Sequence, residues 1–366
     1  MKKTPLSQTP QINATRRHIL QGLAGSALLS LSGLSAAQQQ SETAANPRYP
    51  DPAVEVLDPS FAKYRLYSAS VERLGTGMRW AEGPAWFGDG QFLLVSDIPN
   101  NRIMRYDCIT RQMAVFREPS NYTNGIARDK QGRILTCEHL GRRVTRTEYD
   151  GSITVLADRY NGKPLNSPND IIVRSDGSIW FTDPPFGLNG HYEGQKATAE
   201  QPDGVYRIEP DTGNLVRVLD NLLMPNGLAF SPDEKYLYII GRYKNTPKQR
   251  HLFRYDVGVD GSLRNQTKIF SGNPNGTLDG IAVDEDGNIW AGYGSQTNSK
   301  GSLSKDMDGV IIINPQGKQI GYIHLPERCA NLCFGGAKGN RLFMASSRSL
   351  YAIYVETRGA DFAHKK

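Results

Sequence analysis

Six short segments of this chain share one pattern, in which an acidic or amide residue opens an apolar run and a turn follows eight positions later. The openers stand 42, 45, 57, 53 and 52 residues apart, yet the offset to the turn never changes. The openers are Glu82, Asn124, Asn169, Asn226, Asp279 and Asn331. The turn positions are Gly90, Gly132, Gly177, Glu234, Gly287 and Gly339. A fixed offset within a variable period is typical of repeated β units joined by loops of different length.

Each copy of the pattern predicts about four antiparallel strands. The run that follows an opener has strand length and composition, and a second such run follows the turn. Most copies then carry a further aromatic or β-branched hairpin, and four strands make one blade of a propeller. The sequence therefore predicts an all-β fold, a six-bladed β-propeller with four-stranded antiparallel blades around a central channel. Residues 66–74 are predicted to complete the last blade beside residues 351–355, which removes exposed sheet edges.

The six openers are predicted to form a ring at one end of the channel, because the inner strand of each blade lines it. The ring holds two carboxylates and four amides, and no histidine or cysteine belongs to it. Such an all-oxygen, partly anionic ring suits a hard or borderline divalent cation. We expect Ca²⁺, with Mg²⁺, Mn²⁺ and Zn²⁺ as alternatives. The competing interpretation is that the Asn-Gly, Asp-Gly and Glu-Gly pairs only form turns.

The first residues predict export from the cytoplasm. The pair Arg16-Arg17 precedes an uncharged stretch, residues 21–34, and a small-residue pattern, Ser35-Ala-Ala. The stretch is too short for a membrane span, so we expect a twin-arginine signal peptide over residues 1–37 and a periplasmic protein. The export machinery is then a partner, and no stable membrane span remains after cleavage. Residues 38–60 are predicted to be a flexible lead-in, residues 61–358 the propeller and residues 359–366 a C-terminal tail.

Removal of the signal peptide also changes the charge of the protein. Residues 1–37 hold four basic residues and no acidic one, so the formal net charge falls from +6 to +2. No basic cluster remains that indicates a nucleic-acid partner. Four cysteines are too few for a disulfide scaffold, and Cys329 and Cys333 lack a second pair or a nearby histidine for zinc. Buried cysteines in strands are the favoured interpretation.

Five segments, in the same order along the chain, resemble the gluconolactonase, senescence marker protein and luciferin-regenerating enzyme family. They are AEGPAW (81–86), LNSPNDIIV (165–173), SDGSIWFTDP (175–184), MPNGLAFSPD (224–233) and LDGIAVD (278–284). The resemblance extends from residue 73 to residue 355. It implies a six-bladed propeller with one catalytic divalent metal ion. It also implies hydrolysis of lactone esters, such as the conversion of D-glucono-1,5-lactone to gluconate.

The resemblance also implies roles for individual residues. Glu82, Asn226 and Asp279 are implied metal ligands, and Asn169 is implied as a fourth ligand or as a group that orients water and substrate. Some sugar-lactone members have a basic residue two places before the counterpart of Asn169, whereas this chain has Ser167.

Two ring positions, Asn124 and Asn331, do not match the usual ligands of the family. We predict that these amides form hydrogen bonds across the channel instead.

Asp279 and Asn169 are the predicted catalytic residues. A lactone carbonyl bound to the cation is polarised, and water on the same ion becomes more acidic. Our hypothesis is that Asp279 accepts the proton of the attacking water and returns it to the ring oxygen of the lactone. The competing assignment is that Asp279 only holds the metal.

The second strand of each blade returns to the end of the channel that carries the ring. Six residues are therefore predicted near the pocket rim: Asp97, His139, Asp183, Arg242, Tyr293 and Ser346. His139 can bind substrate or carry protons, although a plain polar role is the alternative. Asp183 precedes the longest insertion, residues 184–203, whose composition suits a loop over the pocket. The predicted substrate-binding residues are Asn169, His139 and Asp183.

Two functions of other classes fit the same pattern. One is a metal-dependent hydrolase of phosphotriesters or aryl esters. The other is a non-catalytic periplasmic propeller that binds a ligand or a protein through the same face. A ring of carboxylates and amides that converges on the axis favours catalysis, because a binding platform has no need of it.

Overall fold

Nearly all regular structure in the described residues is β-strand, as the short apolar runs predict. The structure, a computed structural model, describes residues 48–295 and 307–363; the predicted signal peptide, residues 1–37, lies outside them. The α-helix of the described residues is a single turn, α1 (Ala360–Ala363), within the predicted C-terminal tail. None of the helices in these ranges has the length and hydropathy needed to cross a membrane.

Six antiparallel sheets follow one another along the chain, and each is one blade, numbered here from the channel outwards. Two strands precede the first blade: β1 (Val54–Val56) and β2 (Glu72–Thr76). Blade 1 comprises β3 (Ala81–Phe87), β4 (Phe92–Asp97), β5 (Arg102–Asp107) and β6 (Gln112–Arg117). Blade 2 comprises β7 (Thr123–Arg128), β8 (Ile134–Glu138), β9 (Arg143–Thr147) and β10 (Ile153–Ala157). A small hairpin follows, formed by β11 (Arg159–Tyr160) and β12 (Lys163–Pro164).

The remaining four blades have the same order of strands. Blade 3 comprises β13 (Ile171–Val173), β14 (Ile179–Asp183), β15 (Gly204–Ile208) and β16 (Leu215–Leu219). Blade 4 comprises β17 (Leu228–Phe230), β18 (Tyr236–Tyr243), β19 (Thr246–Val257) and β20 (Leu263–Ser271). Blade 5 comprises β21 (Gly276–Val283), β22 (Ile289–Ser295), β23 (Gly309–Ile313) and β24 (Gln319–His324). Blade 6 comprises β25 (Cys329–Gly335), β26 (Arg341–Ser346), β27 (Ser349–Tyr354) and, as its outer strand, β2.

The propeller closes where β2 pairs with β27. Glu72 lies opposite Ala352 and Thr76 lies opposite Ser349 in an antiparallel register. The six inner strands contact one another in the closed order β3, β7, β13, β17, β21, β25 and back to β3. The predicted six-bladed propeller is therefore confirmed, and its closing strand covers residues 72–76 rather than the whole of 66–74.

Strand β1 adds a fifth, outer strand to blade 5. Val54 pairs with Ile323, and both Val54 and Phe61 are buried. The ring of Phe61 lies 5.9 Å from that of Trp290. Residues 54–64 thus belong to the packed propeller, whereas the predicted flexible lead-in extends to residue 60. The physical reason is burial, which contributes about 1.5–3 kcal/mol for each large apolar side chain. The other domain boundaries stay a prediction.

The core is divided into six apolar clusters among the described residues, one between each pair of neighbouring blades. Strand alternation produces this arrangement, because successive side chains point to opposite faces of a blade. In β4, Leu93 and Val95 pack against blade 6, and Leu94 packs against blade 2. In β14, Trp180 packs against blade 4, and Phe181 packs against blade 2. Both faces of a blade are therefore buried.

No disulfide links the four cysteines, all of which lie in the described ranges, in agreement with the absence of a disulfide scaffold in the sequence pattern. Cys137 and Cys329 are buried in strands β8 and β25. Cys333 is half-buried in β25, and Cys108 is half-buried in the turn after β5.

Glycines that follow the openers allow neighbouring inner strands to touch. A Cβ atom on Gly83 would lie 2.1 Å from the carbonyl oxygen of Asn124, and one on Gly125 would lie 2.4 Å from that of Asn169. Gly125 also donates its N–H to the carbonyl oxygen of Asn169 at 2.7 Å. Both glycines lie within inner strands, so turn formation alone does not account for these opener-glycine pairs.

Replacing Gly125 by Ala should lower the midpoint of thermal unfolding, because the added methyl group forces the inner strands of blades 2 and 3 apart. Overpacking a filled interior costs about 1–3 kcal/mol. Gly190→Ala is the matched control, since a Cβ there meets no atom within 4 Å. Equal midpoints for the two variants in differential scanning calorimetry would contradict the close approach.

Candidate functional site

The six openers are buried at one end of the central channel, with exposed fractions from 3% to 6%. They lie together because the inner strand of each blade begins at that end and the second strand ends there. In blade 1, for example, Ala81 at the start of β3 pairs with Asp97 at the end of β4. The register shifts just after the opener in β3, between Glu82 and Ala85, and β7 and β21 have the same irregularity. Such bulges redirect side chains, and here they accompany the openers of the ring.

Three hydrogen-bond donors hold the carboxylate of Asp279. Asn226 donates Nδ2 to Oδ1 at 2.6 Å, and Arg250 donates Nη1 to the same oxygen at 2.9 Å. Arg328 donates Nη2 to Oδ2 at 2.5 Å. Arg250 also donates to the carbonyl oxygen of Leu278 at 2.6 Å. Two guanidinium groups therefore compensate the charge of one buried carboxylate.

Glu82 has no comparable compensation. Its carboxylate accepts the N–H of the adjacent Gly83 at 3.2 Å, and no lysine or arginine in the described part of the chain forms an ion pair with it. Burial, followed by the charges of Asp279 and Asp170, raises the pKa of Glu82 well above its ordinary value. A cation would relieve this unfavourable burial.

Asp170 is a titratable group of the channel that does not belong to the six repeated positions. It follows the opener Asn169, at a position where four other copies have glycine. Burial raises the pKa of Asp170 to about 7, and Asn331 donates Nδ2 to its Oδ1 at 3.4 Å. This break in the glycine pattern was the available sequence signal.

The two ring amides outside the implied ligand set differ from each other. Asn331 bonds to Asp170, and its Oδ1 accepts the N–H of Leu332 at 2.8 Å, so it makes hydrogen bonds within the channel. The Oδ1 of Asn124 is buried without a hydrogen-bond partner among the described groups. An orphaned oxygen in this ring is a potential cation ligand.

Several predicted rim residues are engaged inside the protein instead of facing solvent. Asp97 accepts hydrogen bonds from Arg79 N, Asn100 Nδ2 and Arg102 Nε. Asp183 is fully buried, where its Oδ2 accepts the N–H of Asn166 at 2.8 Å. Burial raises the pKa of Asp183 to about 7. Both aspartates thereby fix the loops that surround the ring.

Tyr293, a third predicted rim residue, accepts the N–H of Asn273 through its hydroxyl at 2.8 Å. Arg242 is half-buried, and burial followed by the charge of Arg250 lowers its pKa. Ser346 is fully buried at the end of β26.

The insertion, residues 184–203, lies over the ring as its composition suggested. Ser167 donates its Oγ to the carbonyl oxygen of Pro184 at 2.6 Å and accepts the N–H of Gly187 at 3.0 Å. The guanidinium of Arg250 lies 5.5 Å from the ring centre of Phe186, which belongs to the insertion. Ser167 therefore fastens the insertion, and the insertion lies beside Asp279 because its Phe186 packs against Arg250. Some family members have a basic residue at the position of Ser167.

His139 holds the middle of the same insertion. Its Nδ1 lies 2.9 Å from the carbonyl oxygen of Glu193, and this nitrogen must donate because a carbonyl only accepts. Burial lowers the pKa of His139 to about 4, so the ring is neutral near pH 7. A side chain on Gly187 would strike His139, with Cβ atoms 2.7 Å apart. This geometry favours a role in holding the loop.

Glu193 brings a further carboxyl group toward the ring. Burial, followed by the charge of Asp279, raises the pKa of Glu193 to about 6, while the charge of Arg328 opposes this shift. Glu193 belongs to no repeated position, so nothing in the repeat pattern could have indicated it.

The two arginines on Asp279 were also absent from the sequence-based site. Arg328 stands three residues before the opener Asn331, and Arg79 stands at the same offset before Glu82. Position within the repeat was therefore a usable signal for Arg328. Arg250 lies in the third strand of blade 4, which has 12 residues and is the longest strand in the described ranges.

The donors of the ring fit a divalent cation. The Oδ1 of Asn124 and the carboxylate of Glu82 lack cationic partners in the described ranges, and Asn226 contacts Asp279 directly. Considering histidine, cysteine, aspartate and glutamate alone, these ranges contain no group of three that could hold a metal. Amide oxygens would have to complete the coordination of any cation bound here, which suits a hard cation. A cation at Asp279 must also share this carboxylate with its arginine donors or displace one of them.

The other end of the channel is chemically different. A cavity of about 380 Å³ opens there, lined mainly by apolar inner-strand residues such as Ile126, Ile171 and Leu228. Asp170 and Asn331 lie at its inner end, and Glu82 and Asp279 do not line it. The two carboxylates of the ring therefore do not face this cavity.

His139→Asn should alter the acid limb of the stability profile. The pKa of His139 is about 4 in the folded protein and about 6.5 ordinarily. Between these pH values the histidine of the unfolded chain is protonated and that of the folded protein is not. Stability is therefore lost as the pH falls from about 6.5 to about 4, by up to about 3 kcal/mol. Asparagine keeps a donor for Glu193 and does not titrate. Denaturant unfolding at several pH values should show a shallower acid loss in the variant; parallel profiles would contradict the assignment.

Comparisons with known proteins agree with this geometry. The family described as "SMP-30/Gluconolactonase/LRE-like region" matches residues 80–348. The chain is 31% identical over 315 residues to a gluconolactonase from Zymomonas mobilis, and this alignment covers 80% of this chain and 83% of that protein. The structure of a gluconolactonase from Xanthomonas campestris aligns with a TM-score of 0.74 and 34% identity, over 86% of this chain and 98% of that one. Regucalcin, a calcium-binding protein from Agrobacterium tumefaciens, shares the fold with a TM-score of 0.62 at 18% identity, over 78% of this chain and 94% of that one. The chain therefore belongs to the SMP-30/gluconolactonase/LRE-like family, as the resemblance of its five segments implied.

Proposed function

We propose that this protein is a metal-dependent hydrolase that opens a lactone ring, and that its substrate is a sugar lactone such as D-glucono-1,5-lactone. The observation that carries the proposal is the buried carboxylate of Glu82. It forms no ion pair with a basic residue of the described ranges, and the negative charge of Asp279 raises its pKa further. A cation-binding ring in a chain similar to two gluconolactonases supports this chemistry over simple ligand binding.

Glu82, Asn226 and Asp279 hold the cation in this proposal, and Asn169 completes the set or orients water and substrate. Ca²⁺ is the proposed ion because the donors are carboxylate and amide oxygens; Mg²⁺, Mn²⁺ and Zn²⁺ are the alternatives. When bound, the cation supplies polarisation of the lactone carbonyl and a more acidic water.

Asp279 is the proposed general base. A carboxylate oxygen has two lone pairs, and Oδ2 uses one for Arg328, which leaves the other for a proton of the attacking water. Asp279 then returns this proton to the ring oxygen as the carbon–oxygen bond of the lactone breaks. Asn226 and Arg250 both donate to the opposite oxygen, so a cation on Oδ1 takes the place of one of these donors while the other keeps the carboxylate oriented.

The insertion over the ring gives the site its cover and its choice of substrate. Loops that are fastened to a rigid scaffold commonly set specificity. His139 contributes by fixing Glu193, and Asp183 contributes by fixing the segment around Asn166 and Ser167. Two of the three predicted substrate-binding residues, His139 and Asp183, thus shape the pocket through neighbouring residues.

We also propose that the protein works in the periplasm after twin-arginine export. The support is the sequence of residues 1–37, with paired arginines before a short uncharged stretch and a small-residue end. Changing Arg16 and Arg17 together to lysine keeps the charge, and it should leave the protein uncleaved in the cytoplasmic fraction. Unchanged appearance of the mature variant in the periplasmic fraction would refute the twin-arginine route, and absence of the mature wild-type chain from that fraction would refute the localisation.

The substrate and the metal are tested together with chelator-treated mature protein. D-Glucono-1,5-lactone and other lactones should be hydrolysed only after a divalent cation is restored. Glu82→Gln should abolish metal binding in calorimetry and reduce turnover by at least about 10²-fold, because loss of a carboxylate weakens the ion's site. Glu285→Gln is the matched control, since that exposed carboxylate pairs with Arg358.

Asp279→Asn separates the two roles considered for this residue. If the carboxylate is the base, metal-loaded Asp279→Asn loses about 10²–10⁴-fold in kcat. Nearly full activity in that variant would mean that Asp279 only holds the metal. Metal binding without turnover of any lactone, or faster turnover of aryl esters or phosphotriesters, would contradict the proposed function itself.

A further inference from the structure

The arginine at the mouth of the site has a role that metal ligation does not explain. Arg328 contacts Asp279 through Nη2, its Nε is buried without a hydrogen-bond partner among the described groups, and its side chain is 25% exposed. Arg250, in contrast, is only 8% exposed and bonds to both Asp279 and the carbonyl oxygen of Leu278. The two guanidinium groups therefore occupy unlike positions around one carboxylate.

We propose that Arg328 is a catalytic residue that binds the carbonyl oxygen of the lactone and stabilises the oxyanion formed there, and that Arg250 is a positioning residue for Asp279. This inference rests on the proposed hydrolysis. A guanidinium has five N–H donors, and one of those of Arg328 is used on Asp279. The remaining donors are free to take a second oxygen beside that carboxylate.

The place of the oxyanion follows from the contacts of Asp279. A base must lie within hydrogen-bond reach of the water it deprotonates, and that water must lie beside the carbonyl carbon it attacks. The carbonyl oxygen is therefore close to the donors already fastened to Asp279. A charged substituent elsewhere on the lactone ring lies farther from this carboxylate, so the reacting oxygen is the better partner for Arg328.

The environment of Arg328 fixes the plane of its guanidinium. The group lies over the ring of Trp80, 5.3 Å from the ring centre. Glu193 lies close enough to Arg328 for their charges to interact across the covering insertion. These neighbours limit the motion of the side chain, and a preorganised donor stabilises developing charge more strongly than a mobile one.

The proposed step balances without any further reactant. The oxygen of water bonds to the carbonyl carbon while one water proton passes to Oδ2 of Asp279, and the π electron pair moves onto the carbonyl oxygen beside Arg328. The pair then restores the C=O bond, the bond from carbon to ring oxygen breaks, and Asp279 gives its proton to that oxygen. The product is the open hydroxy acid.

Arg79→Ala supplies a matched control for Arg328→Ala. Arg79 stands at the equivalent position before the opener of blade 1, but its Nε donates to Asn100 at 3.0 Å and its side chain is exposed. With D-glucono-1,5-lactone, Arg328→Ala should lower kcat by about 10²–10³-fold with little change in KM, as for loss of an oxyanion donor. Arg328→Lys should recover part of this loss, and added guanidinium chloride should restore turnover to Arg328→Ala but not to Asp279→Asn.

Three results would overturn the assignment. Arg328→Ala could lose no more activity than Arg79→Ala. Its loss could lie in KM and only for lactones with a negatively charged substituent, which would mean that Arg328 reads substrate charge. Its loss could resist both lysine and guanidinium, which would leave Arg328 only a positioning role. Metal affinity by calorimetry and the thermal midpoint, both expected near wild-type values, separate these results from misfolding.

The same experiment separates this inference from the proposed function. If the wild-type protein hydrolyses no lactone in the presence of metal, the proposed function and the role of Arg328 fail together. If the wild type is active and Arg328→Ala matches its control, only the role of Arg328 fails.

Discussion

Close contact between neighbouring inner strands is the constraint on which the site depends. Glycines such as Gly83 and Gly125 leave no room for a side chain against the backbone of the next opener. The strands can therefore converge at one end of the channel, where six polar side chains become buried together. Six apolar clusters between the blades hold this arrangement from outside. The same geometry that closes the propeller thus removes carboxylates from water.

Burial makes the distribution of charge around the ring decisive, since charges interact more strongly away from water. Blades 4 and 6 surround Asp279 of blade 5 with Asn226, Arg250 and Arg328, whereas Glu82 of blade 1 forms no ion pair with a described lysine or arginine. Equivalent positions in the repeat have therefore taken unequal roles. One carboxylate is stabilised by the protein itself, and the other has a raised pKa that a bound cation would relieve.

Much of the architecture could be predicted from the sequence because it follows local rules. Alternating apolar residues and the turn after each opener determine the strands, and five of the six turns have a positive φ at the predicted position. In the first copy the residue with positive φ is Gln91, one position after the predicted Gly90. The ring was also predictable, because a propeller places equivalent residues around one axis.

The rest of the site lay outside local rules. Arg250 reaches Asp279 from another strand, and Glu193 reaches the ring from an insertion. Contacts between residues far apart in sequence depend on packing that no repeat encodes. The start of the propeller illustrates the same limit, since Phe61 packs against Trp290, more than 200 positions away.

The most direct test of this account is the location of the cation. Crystals of the mature protein grown with Ca²⁺ should show one anomalous scattering peak, about 2.3–2.6 Å from oxygens of Glu82, Asn226 and Asp279. Such a peak would establish that the uncompensated carboxylate of Glu82 and the ring amides form a metal centre. A ring without a peak, with both arginines still on Asp279 at saturating Ca²⁺, would contradict the account.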